Sequence, residues 1–408
     1  MALKSAKCKN NGEKAPVAHV FTKEASLKRK IRSHFTLLGF RKGPDGTLVR
    51  PDSGKESIRQ LHRAQREERL HSSEHFISEF LPSALPYFAN GNEIDPTKIR
   101  LSLIKVSANS FESKLFRAAS LTWSVPVSNG YGRRMRYLVW DKGHDRIAGI
   151  FALGDPVFNL SVRDNLIGWT SNDRSSRLVN ILDAYVLGAV PPYNMLLGGK
   201  AIACLIRSQE VYDDFLRNYG STTGIISGKD KYAHLLAVTT SSSMGRSSLY
   251  NRLKLDNVRY FEPIGYTVGW GHFHITDELF GEMREYLRLA DHPYADQHCF
   301  GEGPNWRLRT IKAALKQLGI NQAVLRHGIQ REVFFCQFAE NAKEILATGK
   351  GVPDLSTLKT IDEISELARK RWIEPRALRQ DDYKNWSRDN ISLLIKGSKL
   401  DVIISKIA

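Results

Sequence analysis

The chain has 408 residues, 42% hydrophobic and 25% charged, the balance of a folded protein with two or three domains or one large core. No apolar run approaches the ~20 residues needed to cross a bilayer, and the basic start "MALKSAKCKNNGEKAP" has no apolar segment behind it; a membrane span and a secretory leader are excluded as expectations, and the cytoplasm is the expected location. The formal net charge of +17 is uneven, residues 1–70 holding 17 Lys and Arg against 7 Asp and Glu, and it points to a polyanionic partner, nucleic acid and most readily DNA.

Residues 1–22 are polar and lysine-rich with no apolar period, and read as a disordered basic tail. Residues 23–112 read as a basic helical N-terminal module and connector. Leu27, Ile31, Phe35 and Leu38 recur at helical spacing, with Lys28, Arg29, Lys30 and Arg32 on the other face. A second amphipathic helix follows in "KESIRQLHRAQREERL". These cations are candidate phosphate contacts.

Residues 113–290 have the texture of an α/β core. Strands are expected at 136–140, 147–154, 184–190, 234–240 and 260–268, and helices at 173–182, 199–216 and 246–254. The segment 220–232 reads as a mobile loop. "RRMRYLVW" interleaves Arg133 and Arg134 with aromatic residues, which suits single-stranded nucleic acid or an ordinary outer strand. Residues 291–408 read as a mostly helical extension, with a strand in "HGIQREVFFCQF". Its basic helix "NWRLRTIKAALK" adds Arg307, Arg309 and Lys312 as a second phosphate-tracking face.

Cys8, Cys204, Cys299 and Cys336 form no C-x-x-C pair, so neither a disulfide framework nor a zinc ribbon is expected. His272 and His274, two apart on an expected strand, lack a third ligand nearby, and no resident metal is assigned. Asp164, Asp183 and Glu262 are carboxylates that folding can gather for metal-dependent strand processing.

The segment "VPPYNMLLGGKAIACLI" runs from a strand through a turn to Gly198-Gly199-Lys200-Ala201 and into a helix. Free N–H groups at a helix start favour a phosphate, glycine admits close approach, and Lys200 adds charge. Position 194 is Asn and position 201 Ala, so G-x-x-x-x-G-K-[ST] fails; G-x-G-x-x-G fails as well.

This strand–turn–helix resembles the core of the GNAT acyltransferases, where a splayed, bulged strand precedes the helix that holds the pyrophosphate of acyl-CoA. The Gly199-Lys200-Ala201 spacing is kept, and Leu196 stands where that family has Arg or Gln. "GRSSLYNRLKLDNVRYF" places Leu249-Tyr250 where the family has Leu-Tyr; the resemblance implies Tyr250 as general acid for a leaving thiolate. Asp183 is the nearest carboxylate for a base. The implied fold is α+β, a GNAT-like mixed central sheet flanked by helices.

Three blocks resemble the DruA family, named from the Druantia anti-phage system, across roughly residues 25–340: "LKRKIRSHFTLLGFRKGPDGTLVRPDSGKESIRQLH", "RDNLIGWTSNDRSSRLVNILDAYVLGAVPPYN" and "NWRLRTIKAALKQLGI…LRHGIQREVFF". The second, with Arg163, Asp164, Trp169 and Asn180, is the most specific. Where many relatives have Gly-Arg-Gly, this chain has only Gly245-Arg246. The resemblance implies phage defence or mobile-element biology, with companion proteins encoded by the defence system or a transposon. The expected function is nucleic-acid binding around a GNAT-like core. The alternatives are an acyl-CoA-dependent N-acyltransferase and a metal-dependent strand-processing enzyme.

Overall fold

The computed structural model describes residues 23–42, 48–49, 54–130, 132–223, 230–296 and 306–396. The expected tail at 1–22, with Cys8, and also Cys299 lie outside them, as does the centre of the 220–232 loop. The described ends of that loop, Ser221–Thr223 and Asp230–Tyr232, pair as a short antiparallel ladder.

The centre is a seven-stranded mixed sheet. Its strands in chain order are β1 (Leu101–Lys105), β2 (Arg134–Asp141), β3 (Arg146–Gly154), β4 (Ile181–Ala189), β5 (Ala237–Ser241), β6 (Glu262–Tyr266) and β7 (Glu332–Gln337). The spatial order is β6-β7-β5-β4-β3-β2-β1. Every neighbouring pair is antiparallel except β4 and β5, which run parallel.

Both sheet faces are covered, which is why β3 is buried along nearly its whole length. Side chains alternate across it. Tyr137, Val139, Phe151 and Leu153 enter one core, with α7 (Gly198–Leu205), α8 (Gln209–Tyr219), α12 (Ile361–Ala368) and α13 (Glu374–Arg379). Leu138, Ile150 and Ala152 enter the other, under α3 (Glu74–Ala84), α4 (Phe111–Ser120) and α14 (Asn390–Lys396). A fully buried phenyl such as Phe151 is worth roughly 3–5 kcal/mol against alanine.

A separate core joins distant parts of the chain into a helical module. Leu27, Ile31 and Phe35 of α1 (Lys23–Leu37) and Ile58 and Leu61 of α2 (Lys55–His71) pack with α9 (Asp277–Leu289) and α10 (Trp306–Gln317). Arg66 and Arg69 of α2 tie this module to the sheet domain. Arg66 donates to Trp123 O at 3.2 Å and to Leu394 O at 2.7 Å, and Arg69 donates to Val127 O.

Three expected helices differ. The one at 173–182 stops at Arg177, as α6 (Ser171–Arg177), because Asn180 Nδ2 donates to Arg177 O, the carbonyl that a continuing helix would offer to residue 181. The one at 199–216 is two helices, since Ser208 caps the second by accepting from Val211 N at 3.4 Å. The one at 246–254 is a run of turns: Gly245 and Arg252 take positive φ, and Ser247 Oγ accepts from Leu249 N. His272 and His274 sit in a turn rather than on a strand.

Candidate functional site

Parallel pairing of β4 with β5 lasts only three rungs, Ile181 to Ala237, Leu182 to Val238 and Asp183 to Thr239. Beyond Asp183 the strands part, while β4 stays paired with β3 to Ala189. The ladder with β3 shifts register at Tyr185, an extra residue on β4, so Ala184 and Val186 point into opposite cores although two apart. Between the parted strands lies a cleft of about 220 Å³. Thr240, Ser242, Ser247 and Tyr250 line one side, and Trp123 and Val127 belong to the wall held by Arg66 and Arg69. That is less than the roughly 300–1,000 Å³ of ordinary small-molecule sites and suits a slender chain.

Tyr250 lines this cleft, and Asp183, 67 positions earlier in sequence, sits on the last paired rung, near enough for its charge to bear on the phenol. The Asp183 carboxylate accepts from Thr239 Oγ1 at 2.7 Å. Burial pushes its pKa up to about 6, against the opposing pull of the Thr239 hydroxyl and the Arg163 charge. Burial also pushes the Tyr250 phenol up, and the Asp183 charge adds to that. The Tyr250 ring packs on Phe261 and Phe334, with centroids 5.1 and 5.0 Å away. Its hydroxyl is hydrogen-bonded to Thr240, which pulls the phenol down against that rise, and Thr240 Oγ1 itself donates to Ala184 O at 2.9 Å. A carboxylate that ionises near pH 6 beside a phenol that keeps its proton is an arrangement able to accept and donate protons at neutral pH.

The turn carrying Tyr250 is fixed from behind. Glu332 of β7, itself buried, accepts from Ser247 N at 2.9 Å and from Asn251 Nδ2. Sequence reasoning passed over Thr239, Thr240 and Glu332. The adjacent threonines ending "HLLAVTT" were the available signal; their partners become visible only with the parallel register.

Gly198 and Gly199 are buried at the start of α7. A Cβ at Gly198 would come within 2.6 Å of Tyr193 O, and one at Gly199 within 2.9 Å of Leu249 Cδ1. Gly199 thus abuts the residue that separates α7 from the cleft. Gly198 N donates to Tyr193 O and Lys200 N to Leu197 O, so two N–H groups of the first turn are bonded internally. Lys200 Nζ lies 5.9 Å from the ring centre of Trp372, and Ala201 is fully buried. The turn before α7 is anchored by Tyr193, which donates to the buried Asp141 at 2.9 Å.

The family block, which includes α5 (Ser161–Ile167), packs with α11 (Ala342–Thr348) against the first residues of β4 and β5. Arg163 is fully buried; its guanidinium donates to Asp164 Oδ1 at 2.9 and 2.6 Å and to Val157 O and Phe158 O. Arg174 Nη1 reaches Asp164 Oδ2 at 2.8 Å. Trp169 Nε1 donates to Leu346 O at 2.6 Å. Asn180 Oδ1 accepts from His234 N at 3.0 Å, tying the start of β4 to the segment entering β5. Asp164, Asp183 and Glu262 do not gather: Asp164 is held by two arginines and Glu262 pairs with Lys343 at 2.7 Å. Among the described residues no group of three or more His, Cys, Asp and Glu is placed to hold a metal.

On α1, Lys28 pairs with Glu24 at 2.6 Å and Lys30 with Glu282 of α9 at 2.5 Å; Arg29 and Arg32 are exposed. Arg133 is committed inward, to Asp155 at 2.7 Å and to Val179 O and Ile181 O. Arg134 is exposed at the start of β2.

The sequence model of the family described as Druantia protein DruA matches residues 52–348. A Druantia protein DruA of Escherichia coli (strain UMEA 4076-1) is 55% identical over 384 residues, covering 94% of this chain and 95% of that protein. No solved structure gives a significant match. No helix among the described residues is long and apolar enough to cross a membrane. With the family model spanning most of the sequence and a relative aligned along nearly its whole length, the chain belongs to the DruA family of Druantia proteins.

Proposed function

We propose that this chain serves anti-phage defence by binding nucleic acid, DNA first, through basic faces of its helical module, around a GNAT-like core. The observation that carries the reading is α10. It has four cations, Arg307, Arg309, Lys312 and Lys316, and no carboxylate, and it packs into the same module as the basic α1. Cations arranged this way neutralise phosphates and release counterions, so affinity must fall linearly with salt on a log–log scale. The test is a salt titration of binding to a labelled DNA, with wild type against a chain in which Lys28, Arg29, Lys30 and Arg32 are all glutamine. The reading expects a shallower slope in the variant; no binding by wild type at low salt rejects it.

A second reading is acyl transfer from acyl-CoA, with Tyr250 as acid, Asp183 as base and the α7 turn on the pyrophosphate. The convergence of Asp183 with Tyr250 beside a bulged strand that parts from its neighbour favours it. The internally bonded first turn of α7 and the missing Arg or Gln at Leu196 weigh against it, which is why it stands second. In either reading, companion proteins of the defence system or a mobile element are the expected partners.

A further inference from the structure

Arg309, Lys312 and Lys316 follow one another along one side of α10, at spacings of three and four residues. They span about 10 Å of helix. An open groove of about 530 Å³ runs beside them, with His292 and Tyr294 on its other side. Among the described residues no carboxylate lines this groove. Asp291, next to His292 in sequence, is exposed and does not line it, and Asp296 is held by Arg284 at 2.6 Å and Arg288 at 2.7 Å. Arg307, on the same helix, is paired with Asp277 and lies over Phe280. Lys312 and Lys316 therefore bring positive charge to a groove whose described lining residues include no carboxylate.

Tyr294 lines the groove, and the ring of Trp270 lies beside Lys312. Tyr294 is 37% exposed and Trp270 39%. The Arg309 guanidinium lies 5.7 Å from the Tyr294 ring centre, and Lys312 Nζ lies 4.5 Å from that of Trp270. Cations in file beside half-exposed rings match the chemistry of an unpaired strand, whose phosphates need charge and whose bases need a flat apolar face. In a duplex the bases are stacked on one another and offer no face to a side-chain ring.

We propose that this groove seats a single nucleic-acid strand, with its phosphates along Arg309, Lys312 and Lys316 and a base stacked on Tyr294. The proposal rests on the nucleic-acid reading above and specifies where, and in which form, the nucleic acid binds.

The test is fluorescence anisotropy of the full chain with a labelled 20-nucleotide oligo(dT) and with a duplex of equal length, over a range of salt. Four proteins are compared: wild type, Lys312→Gln with Lys316→Gln, Tyr294→Ala, and Arg29→Gln with Arg32→Gln as a control elsewhere in the module. Wild type should prefer the single strand. The paired lysine variant should weaken oligo(dT) binding about tenfold and lower the salt slope by about 1.4, roughly 0.7 for each phosphate no longer neutralised. Tyr294→Ala should weaken it about tenfold with the slope unchanged, since stacking carries no counterion release. If wild type and both groove variants bind oligo(dT) alike while the Arg29 and Arg32 control is weakened, the groove assignment is wrong and the nucleic-acid reading survives. If the lysine variant loses duplex and single strand equally and Tyr294→Ala is silent, the single-strand assignment is overturned. If wild type binds neither, the parent reading fails.

Discussion

Thr239 donates its hydroxyl to Asp183 across the last registered rung of the parallel pair, at 2.7 Å. One residue on, Thr240 donates to Ala184 O at 2.9 Å, a side-chain bond where a continuing ladder would place a backbone one. The two threonines thus bridge strands at the point where they part, and they hold Asp183 on the last paired rung, next to the residues that line the cleft.

Asp183 destabilises the fold when it ionises. Its folded pKa of about 6 stands above the ordinary carboxylate value near 4, so the native state holds the proton more tightly than the unfolded chain. The contribution of Asp183 to stability is therefore greatest below pH 4, falls as pH rises through 6 and stays reduced above it. Asp183→Asn removes the charge and keeps an acceptor for Thr239. At pH 8 the variant should gain about 1–3 kcal/mol, measured by urea denaturation, and the gain should vanish below pH 4. Equal stability of the two proteins at pH 8 would show that the carboxylate carries no such penalty.

Tyr250→Phe separates packing from chemistry. The ring contacts with Phe261 and Phe334 survive the change, and the hydrogen bond to Thr240 does not. Stability should fall by only about 1 kcal/mol. Under the acyl-transfer reading, acetyl-CoA at ~100 times its Kd stabilises wild type and Tyr250→Phe alike by about 2.7 kcal/mol. Gly199→Asp should lose this stabilisation, because a carboxylate there repels the pyrophosphate and crowds Leu249. Transfer to an amine acceptor should disappear in Tyr250→Phe. No shift in wild type removes the acyl-CoA reading; full turnover in Tyr250→Phe removes the acid role.

The central strands were legible because their apolar runs are buried on both faces, as in "IAGIFALG" within β3. β1 was not, since it is a five-residue strand whose exposure varies without clean alternation and which follows a stretch of prolines and short turns. The helix expected around Tyr250 failed because apolar spacing cannot register a backbone at positive φ in Arg252, or a distant Glu332 that claims Ser247 N. Asp183 and Tyr250 could be selected singly, one as a carboxylate beside a strand and the other from a family resemblance. Their meeting depends on a parallel pairing that no local pattern encodes. The joining of α1 with α9 and α10 was hidden for the same reason, as some 240 residues separate elements that share one core.

The family block makes a stability prediction. Arg163 and Asp164 form a buried pair, each with further partners, so removing one leaves the other short of its bonds. Arg163→Met should cost about 3–5 kcal/mol, with Asp164 left to Arg174 alone. Arg163→Met combined with Asp164→Leu should cost less than the sum of the single changes, because the stranded charge is gone. Additive losses in a urea-denaturation cycle would show that the two residues act independently.

Acid should loosen the helical module. His62 of α2, His274 and His327 gather around Arg331 and Phe273 where the helical module meets the sheet domain. His62 stacks on Phe273 at 4.3 Å, and Arg331 lies 3.4 Å from His62 Nε2. His274 packs against Phe35 and Phe40 and hydrogen-bonds Val324 O at 3.0 Å. The charged neighbours that bear on these rings are Arg331 and the histidines themselves, with His34 and His272 beside His274. Burial, first, and this positive company hold His62 and His327 down to about 3 and His274 to about 4. The unfolded chain takes up protons on these rings near pH 6.5, well before the folded one does. The stability that these neutral histidines contribute is thus fully present above pH 6.5 and is lost as pH falls toward 4, by about 3 kcal/mol for His274 alone at pH 4. Hydrogen exchange should show α1 and α2 losing protection between pH 6 and 4, corrected for intrinsic rates, while β2 and β3 keep theirs. His274→Gln should be less stable at pH 7.5 and should show a shallower decline with acid, since one of the titrating groups has been removed. Protection of α1 and α2 that stays level down to pH 4 would mean that the histidine cluster does not govern docking of the module.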